Sequence, residues 1–346
     1  MQEEVRTAKK IPKEKQPKER LNKRKTAMKK EKKKKEPDFD NLGFTHRRST
    51  EGYKLFLLVL PFLVLTFLFS YLPLYGWRYA FYDYKAPLKL SQCQYVGFKW
   101  FKMLFSNGTQ VKQLLIVLKN TFAMSFLGIA TSFLPVLFAV FLNEIKCKWF
   151  KNMVQTLTTL PNFISWTLVY AIAFALFAPS GMLSSVLMNL GIITEPLKIL
   201  DSSEHVWLQM LLWSTWKGLG WGAIMYLAGI AGIDQELYEA ASVDGAGRWQ
   251  RIKSITIPLL MPTYFVMLML SVANLLNNGM EQYYVFQNSF NKRSIQVLDL
   301  YTYNIGMTGK SLSLATAIGV MKSVVSVTLL GIVNFVSKKT RGAGIM

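Results

Sequence analysis

The sequence contains few of the residues on which catalytic, metal-binding and disulfide-linked proteins rely. Its 346 residues include two cysteines, Cys93 and Cys147, and two histidines, His46 and His205. These four residues provide neither a disulfide framework nor the ligand spacing of a structural metal site. No histidine and no pair of carboxylates lies within a long apolar run, so a membrane-embedded general acid and base are also missing. We therefore expect a chain that is not an enzyme and has no metal.

Acidic residues are scarce as well, since 20 aspartates and glutamates stand against 41 lysines and arginines, for a formal net charge of +21. Much of this excess lies in an N-terminal stretch that includes "KKIPKEKQPKERLNKRKTAMKKEKKKKEPDFD". With almost no aromatic or β-branched residues, this stretch can neither form a core nor stack on bases. We predict that residues 1–52 are a disordered cytoplasmic tail near anionic membrane lipid, and that the chain binds no nucleic acid.

Long apolar runs dominate the rest of the chain. Apolar residues make up 51% of the sequence, and the mean hydropathy is positive, at +0.22. A helix crosses the hydrocarbon core of a bilayer in about 20 residues. Runs of this length predict an all-α integral membrane fold with six transmembrane helices, at residues 55–75, 114–142, 154–177, 206–230, 259–276 and 314–336.

The distribution of lysine and arginine predicts the orientation of these helices. The basic tail places the N-terminus in the cytoplasm, and six crossings then return the C-terminus to the same side. The basic connection "NEIKCKWFKN" and the basic ending "SKKTRGAGIM" fall on the cytoplasmic side in this topology. Residues 77–113 carry several lysines yet would lie outside. This is compatible with the predicted topology, because long loops cross the membrane largely regardless of their charge.

A charged, helix-forming segment at residues 234–258 separates the fourth and fifth predicted helices. Asp234 is a typical N-cap, and Gly245 and Gly247 are candidates for a left-handed C-terminal stop. Four small, apolar or acidic residues recur at helical spacing on one face, namely Leu237, Ala240, Ala241 and Asp244. A helix this short is not stable alone in water. We therefore predict a cytoplasmic helix that docks against another protein.

The same segment resembles the EAA loop of permease subunits in type I ABC importers. The shared pattern is a Glu-Ala-Ala triplet, a glycine four residues later, nine further residues and an Ile-x-Leu-Pro sequence, which here corresponds to Glu239, Ala240, Ala241, Gly245, Ile255, Ile257 and Pro258. The one departure is Ile257 in place of leucine, a change of similar volume. The segments "WSTWKGLGWGAIMYLAGIAGIDQELYEAASVDGA" and "YTYNIGMTGKSLSLATAIGVMKSVV" are similar to the branch that imports oligosaccharides or polysaccharide fragments in Gram-positive bacteria. We assign residues 53–346 to the permease domain.

The resemblance implies a function and a set of partners. The EAA-loop helix of such permeases lies in a groove of an ATPase subunit, so that ATP-driven closure of two ATPases switches two permeases between inward-facing and outward-facing states. The expected partners are a second permease, two ABC ATPase subunits, an extracellular solute-binding lipoprotein and an oligosaccharide, in the plasma membrane of a bacterium. This chain would hold no cofactor, because "NIGMTGKS" has Asn304 where a P-loop needs its first glycine. ATP and magnesium would be bound by the ATPases.

Aromatic and amide side chains near two predicted helices are candidates for the sugar pathway, because carbohydrates are bound by aromatic faces and by groups that hydrogen-bond to hydroxyls. The candidates are Trp213, Trp216, Asn274, Asn277, Asn278, Glu281, Tyr283 and Tyr284. Tryptophan and tyrosine at helix ends are also common as membrane-interface anchors. That role does not account for the asparagines and Glu281.

Two other functions are compatible with these features. The first is an importer of the same type for a solute that is not a sugar. The second is a membrane scaffold that does not transport and uses the short helix only as a docking site. The first would be distinguished by the ligand of the binding protein, and the second by a docking partner unrelated to ATPases.

Overall fold

The computed structural model describes residues 48–341, with side chains described for residues 52–339. The regular elements of this range are helical, apart from one isolated antiparallel bridge between Tyr82 and Tyr95. The predicted all-α fold is therefore confirmed. The chain divides after Pro73 into two units, which are described separately. Most of the predicted disordered tail lies outside the described residues, so its disorder stays a prediction.

The described residues form both short and long helices. The α-helices of the described residues are α1 Arg48–Thr66, α2 Lys99–Ser106, α3 Gly108–Ala130, α4 Leu134–Asn143, α5 Lys148–Thr159, α6 Trp166–Phe177, α7 Met182–Asn189, α8 Val206–Ala231, α9 Gln235–Val243, α10 Arg248–Arg251, α11 Ile257–Ala273, α12 Glu281–Phe286, α13 Lys292–Ile295, α14 Leu298–Tyr303 and α15 Leu312–Arg341. Three π-helical turns lie at Phe67–Tyr71, Ile252–Thr256 and Asn304–Thr308, and 3-10 helices lie at Leu72–Phe81, Leu90–Gln92 and Leu160–Phe163.

Five helical segments of the described chain are long and apolar enough to cross a membrane: Gly52–Phe81, Gly108–Asn143, Trp166–Asn189, Arg248–Ala273 and Leu312–Lys339. They overlap five of the six predicted spans. The remaining predicted span corresponds to α8, whose 26 residues are enough to cross a bilayer. This helix is less apolar than the other five because it contains Lys217 and several tryptophans and glycines.

In the described part of the first unit the main element is α1, which carries residues 52–66 of the first candidate span. Residues 55–65 are all apolar, and the side chains of residues 52–66 are exposed. Thr66 donates a hydrogen bond from Oγ1 to the carbonyl oxygen of Phe62 at 2.8 Å, which satisfies its hydroxyl within the helix. An exposed apolar helix of this length is suited to contact with lipid.

The predicted third span, residues 154–177, is wrong as a continuous helix. The chain forms α5 and α6 with a break between them at residues 160–165. Pro161 starts a short 3-10 helix, and Ser165 caps α6 by accepting a hydrogen bond on Oγ from the backbone N–H of Leu168 at 3.3 Å. A proline has no N–H to donate and clashes with the preceding turn, so the helix ends there. By length and composition the candidate span of this region is Trp166–Asn189, which has a second interruption at residues 178–181, between α6 and α7.

Lys217 of α8 satisfies the backbone at this break. Its ammonium group donates to the carbonyl oxygens of Pro161 at 3.0 Å, Asn162 at 2.9 Å and Ile164 at 2.6 Å. The same group lies 5.4 Å from the ring centroid of Trp166. Unpaired carbonyl groups are costly away from water, and so is an unpaired ammonium. The ammonium group and the three carbonyl groups therefore satisfy each other, and this contact attaches the broken span to α8.

A close approach of the two backbones accompanies this contact. Gly220 lies one turn after Lys217, and a Cβ atom at this position would overlap the backbone of Thr158 in α5. On its other side α8 packs against α4 and α11, through a core formed by Ala139, Val140, Ala223, Tyr226, Ile230, Ile252 and Leu260. The α8 helix therefore contacts two other parts of the chain. It contacts the broken span through Lys217 and Gly220, and it contacts the segment after residue 248 through the core that contains Ile252 and Leu260.

The glycine contact leads to a stability prediction. Gly220→Ala should lower the melting temperature of the purified protein, because the added methyl group forces α5 away from α8, and overpacking of this kind costs about 1–3 kcal/mol. Gly218→Ala is the matched control, since nothing lies within 4 Å of a Cβ atom at Gly218. The control should be neutral or slightly stabilising, as alanine favours helices over glycine. Equal melting temperatures for the two variants would contradict the close approach.

Candidate functional site

The short helix predicted from residues 234–258 is present as α9, which we call the docking helix. Asp234 accepts a hydrogen bond on Oδ1 from the backbone N–H of Glu236 at 3.0 Å and so caps its first turn. Gly245 has a φ of +80°, a left-handed conformation that glycine adopts without strain. The predicted N-cap and the stop at Gly245 are confirmed, whereas Gly247 has a φ of −67° and is not left-handed.

Four contacts fix the docking helix and the residues after it to the rest of the second unit. The Tyr238 hydroxyl lies 2.9 Å from Oγ1 of Thr256. Arg251 donates to Oγ of Ser242 at 2.9 Å, which joins α10 to the docking helix. An ion pair of 3.0 Å links Arg248 to Glu144 at the end of α4, and the Trp249 ring meets Phe141 edge to face.

Those contacts leave one surface of the docking helix uncovered by the described chain. Of the predicted coupling residues, Glu239, Ala240, Asp244, Gly245 and Pro258 are exposed, whereas Ala241, Ile255 and Ile257 are half-buried. Val243 is 88% exposed, although an apolar side chain gains nothing from water.

Ile257 differs in environment from the other predicted coupling residues. It packs against the buried cluster around Ile230, Ile252 and Leu260. It therefore holds the start of α11 in place, while the exposed residues 239–245 form the surface that a partner can reach. We call this surface, formed by Glu239, Ala240, Val243, Asp244 and Gly245, the docking face.

The two predicted pathway tryptophans lie in an aromatic cluster at the first half of α8. The Trp213 ring contacts Phe177, Trp216 and Phe286, with ring centroids 5.9, 5.9 and 6.0 Å away. Trp213 and Trp216 line an apolar cavity of about 360 Å³ together with Phe177, Ile199, Leu200, Gln209 and Leu212. This cavity does not include any of the predicted asparagines.

The other six predicted pathway residues follow the end of α11 but do not share one environment. Asn277 is exposed and donates to Oδ1 of Asn274 at 3.1 Å, whereas Asn278 turns inward and donates to Oγ of Ser125 at 2.9 Å. Glu281 and Tyr284 are exposed, and Tyr284 meets the ring of Tyr303 edge to face.

Tyr283 is buried, and desolvation raises the pKa of its phenol to about 12. It is therefore a neutral hydroxyl at physiological pH. A buried side chain in the protein interior is less suited to contact a passing solute than Asn277 or Tyr284.

An open groove of about 650 Å³ runs past Asn277 and brings together residues that the sequence did not single out. Its lining includes Asp299, Tyr303 and Lys322. Lys322 of α15 forms a largely buried ion pair with Asp299, whose second carboxylate oxygen accepts from the backbone N–H of Gly279 at 3.0 Å. A lysine within an otherwise apolar run was the available signal for this pair, because an isolated charge in a membrane helix is costly.

Known proteins resemble this chain over most of its length. Residues 131–342 match the family described as "Binding-protein-dependent transport system inner membrane component". Protein LplB of Bacillus subtilis (strain 168) is 37% identical over 287 residues, which are 82% of this chain and 88% of that protein. The polygalacturonan/rhamnogalacturonan transport system permease protein YteP of the same strain is 34% identical over 84% of this chain and 89% of its own length.

A solved structure shares the fold. It belongs to a bacterial ABC transporter involved in the import of the acidic polysaccharide alginate, and its matching chain superposes with a TM-score of 0.73 and 30% sequence identity. The match covers 84% of this chain and 97% of the other. A second structure of a bacterial alginate ABC transporter, in complex with an alginate pentasaccharide-bound periplasmic protein, matches equally well, with a TM-score of 0.73. This chain belongs to the family of binding-protein-dependent transport system inner membrane components, the permease subunits of ABC importers.

Proposed function

We propose that this chain forms half of the pathway for an oligosaccharide in an ATP-driven importer and couples that pathway to ATPase subunits through the docking helix. The observation that carries the proposal is the docking helix itself. It is capped, tied at both ends to long helices, and presents a free face that includes an almost fully exposed valine. A short helix with these properties transmits rigid-body motion instead of absorbing it.

The proposed coupling proceeds through named contacts. A partner ATPase would bind the docking face, where small Ala240 permits close approach and the carboxylates of Glu239 and Asp244 can accept hydrogen bonds. Movement of the docking helix would reach α4 through the Arg248–Glu144 ion pair and α11 through the Tyr238–Thr256 hydrogen bond. Both linked helices pack on α8, so a tilt of the docking helix would shift the inner ends of the membrane helices together.

The proposed assembly contains four further components of three kinds. They are a second permease that completes the pathway, two ABC ATPases that bind ATP and magnesium, and an extracellular solute-binding lipoprotein. A periplasmic protein of this kind accompanies the similar alginate transporter. Both termini of this chain would lie in the cytoplasm, on the side of the docking helix, and the complex would lie in a bacterial plasma membrane.

An oligosaccharide is the cargo that the side chains favour. The groove beside Asn277 offers amide, hydroxyl and tyrosine groups and one internally compensated ion pair. These groups suit a ligand rich in hydroxyls, and YteP and the alginate transporter are both named for polysaccharide-derived cargo. An importer of another solute is the second candidate, and the ligand of the binding protein distinguishes the two. The family and the fold do not favour a scaffold without transport.

The docking face provides a test of coupling. In the purified complex, Glu239→Arg and Gly245→Val should each reduce the cargo-stimulated rate of ATP hydrolysis at least about tenfold. The first change replaces a hydrogen-bond acceptor with a positive charge at the proposed interface, and the second places a β-branched residue in a left-handed conformation that costs such a residue about 1–2 kcal/mol. Gly247→Ala is the control, because Gly247 has a φ of −67° and open space around it.

Retained stimulation in both variants, with normal levels of the complex in the membrane, would exclude the docking face as the coupling surface. Loss of the ATPase subunits from the purified complex would instead identify a defect in binding. Mass spectrometry of the purified complex separates these two results.

The polar groove provides a test of the pathway. Asn277→Leu should lower the uptake of oligosaccharide probes about tenfold without affecting assembly, because an apolar side chain cannot replace the amide hydrogen bonds to hydroxyl groups. Oligogalacturonides, alginate oligosaccharides and neutral maltooligosaccharides are suitable probes. Ser271→Ala is the control, since the exposed Ser271 hydroxyl bonds only to the carbonyl of Met267 in its own helix. Unchanged uptake by Asn277→Leu would remove this groove from the pathway.

A further inference from the structure

The α5 helix, which packs against α8 at Gly220, carries a polar face that was not among the predicted pathway residues. Asn152, Gln155, Thr156 and Thr159 recur at helical spacing, so their side chains lie on one side of the helix. Asn152 and Thr156 are exposed, and Gln155 and Thr159 are half-buried. Together with Leu160, Phe163 and Ile224 they line an open groove of about 490 Å³, which we call the α5 groove.

Since α8 is long enough to cross a bilayer, the α5 groove lies beside the half of α8 that leads to the docking helix. Its wall residue Ile224 precedes the end of α8 at Ala231 by about two helical turns, or about 10 Å. At its far end the groove stops at the break of residues 160–165, where Lys217 holds the carbonyl groups. The groove therefore extends from the docking-helix side towards the middle of the bilayer.

Lipid is an unsuitable neighbour for this face. Amide and hydroxyl groups lose their hydrogen bonds to water in hydrocarbon, which is unfavourable for each group. The Thr159 hydroxyl oxygen is shielded from solvent and has no hydrogen-bond partner in the described part of the chain. The groove therefore favours water or a polar solute over lipid.

The composition of the α5 groove identifies the class of that occupant. Asn152 and Gln155 each provide amide donors and acceptors, two threonines provide hydroxyls, and none of the lining residues is charged. Phe163 at the inner end is 71% exposed and presents an aromatic ring. Amides beside an exposed ring suit a hydroxyl-rich solute, and the volume lies within the usual range of small-ligand pockets.

We propose that the α5 groove is a release site for sugar units, on the docking-helix side of the translocation pathway. This assignment rests on the proposed transport function and adds to it a set of residues and a stage of transport. The groove is also connected to the docking helix through α4. Lys151 of α5 donates to Oδ1 of Asn143 at 3.2 Å, and the adjacent Glu144 pairs with Arg248.

Water accessibility in two transport states tests this assignment. The experiment uses the complete importer in membrane vesicles, with Cys93 and Cys147 replaced by serine. Gln155→Cys and Thr159→Cys are then introduced singly, and a charged, membrane-impermeant methanethiosulfonate reagent is applied from the docking-helix side. Leu157→Cys is the control, because Leu157 is 58% exposed and projects from the opposite side of α5. Modification rates are measured without nucleotide and with a non-hydrolysable ATP analogue.

A site on the inner pathway should be open to water without nucleotide and closed with it. Cysteines at positions 155 and 159 should react at least about tenfold faster than the control at position 157 without nucleotide, because thiol modification requires access as well as thiolate character. The ATP analogue should slow the reaction at both groove positions by a similar factor. The control should react slowly in both states.

Two results would overturn the assignment. Slow reaction at both groove positions in both states would mean that a helix of the second permease or lipid covers the groove. Fast reaction that the ATP analogue does not change would mean a wet surface outside the pathway. The ATPase activity of the cysteine-free parent separates these results from a failure of the proposed function: an inactive parent without associated ATPases contradicts the importer, whereas an active parent confines the failure to the groove.

Discussion

The contact between Lys217 and three carbonyl groups at the broken span is the interaction on which the arrangement of the membrane helices depends. In water such a contact would contribute little, since both partners would be hydrated. At membrane depth the alternatives are an unpaired ammonium and unpaired carbonyls, and both are costly. The contact therefore holds against α8 the interruption that begins at Pro161. It also sets α5 against α8 at the one position where Gly220 leaves room for a backbone. The polar α5 groove exists because α5 ends at this point.

The docking helix can pass movement on to the membrane helices without itself contacting lipid. Its own hydrogen bonds are satisfied by Asp234 and by the glycine turn, so it does not need a partner to stay folded within the chain. The links to Glu144 and Thr256 are polar and lie at the ends of long helices. The docking face remains available because these links all lie on the other side.

Local features of this protein could be predicted from the sequence, and non-local ones could not. The docking helix starts at the N-cap Asp234, which bonds to Glu236 two residues away, and it stops at Gly245. Both signals lie within the helix or next to it, so the sequence was enough to recognise them. The break after Thr159 has a local signal in Pro161, which the span prediction did not use, whereas its stabilising partner Lys217 is more than fifty residues away in the sequence. The ion pair of Asp299 with Lys322 likewise joins two segments that contact each other only after folding. The eight predicted pathway residues therefore included the exposed Asn277 and Tyr284 but also the buried Tyr283, because residue type alone does not indicate which way a side chain turns.

The moderate hydropathy of α8 has a consequence for how this protein is made. A helix with a lysine, several glycines and few aliphatic side chains in its middle gains little by entering a bilayer on its own. Its lysine becomes acceptable there only when the carbonyls of the broken span are already present, and its glycines contribute to packing only against a backbone that is already in position. Since α5 and α6 precede α8 in the chain, they emerge from the ribosome first and can provide that surface. Membrane insertion of α8 is thus coupled to the earlier insertion of its neighbours, and an error in the broken span would appear first as a failure of biogenesis.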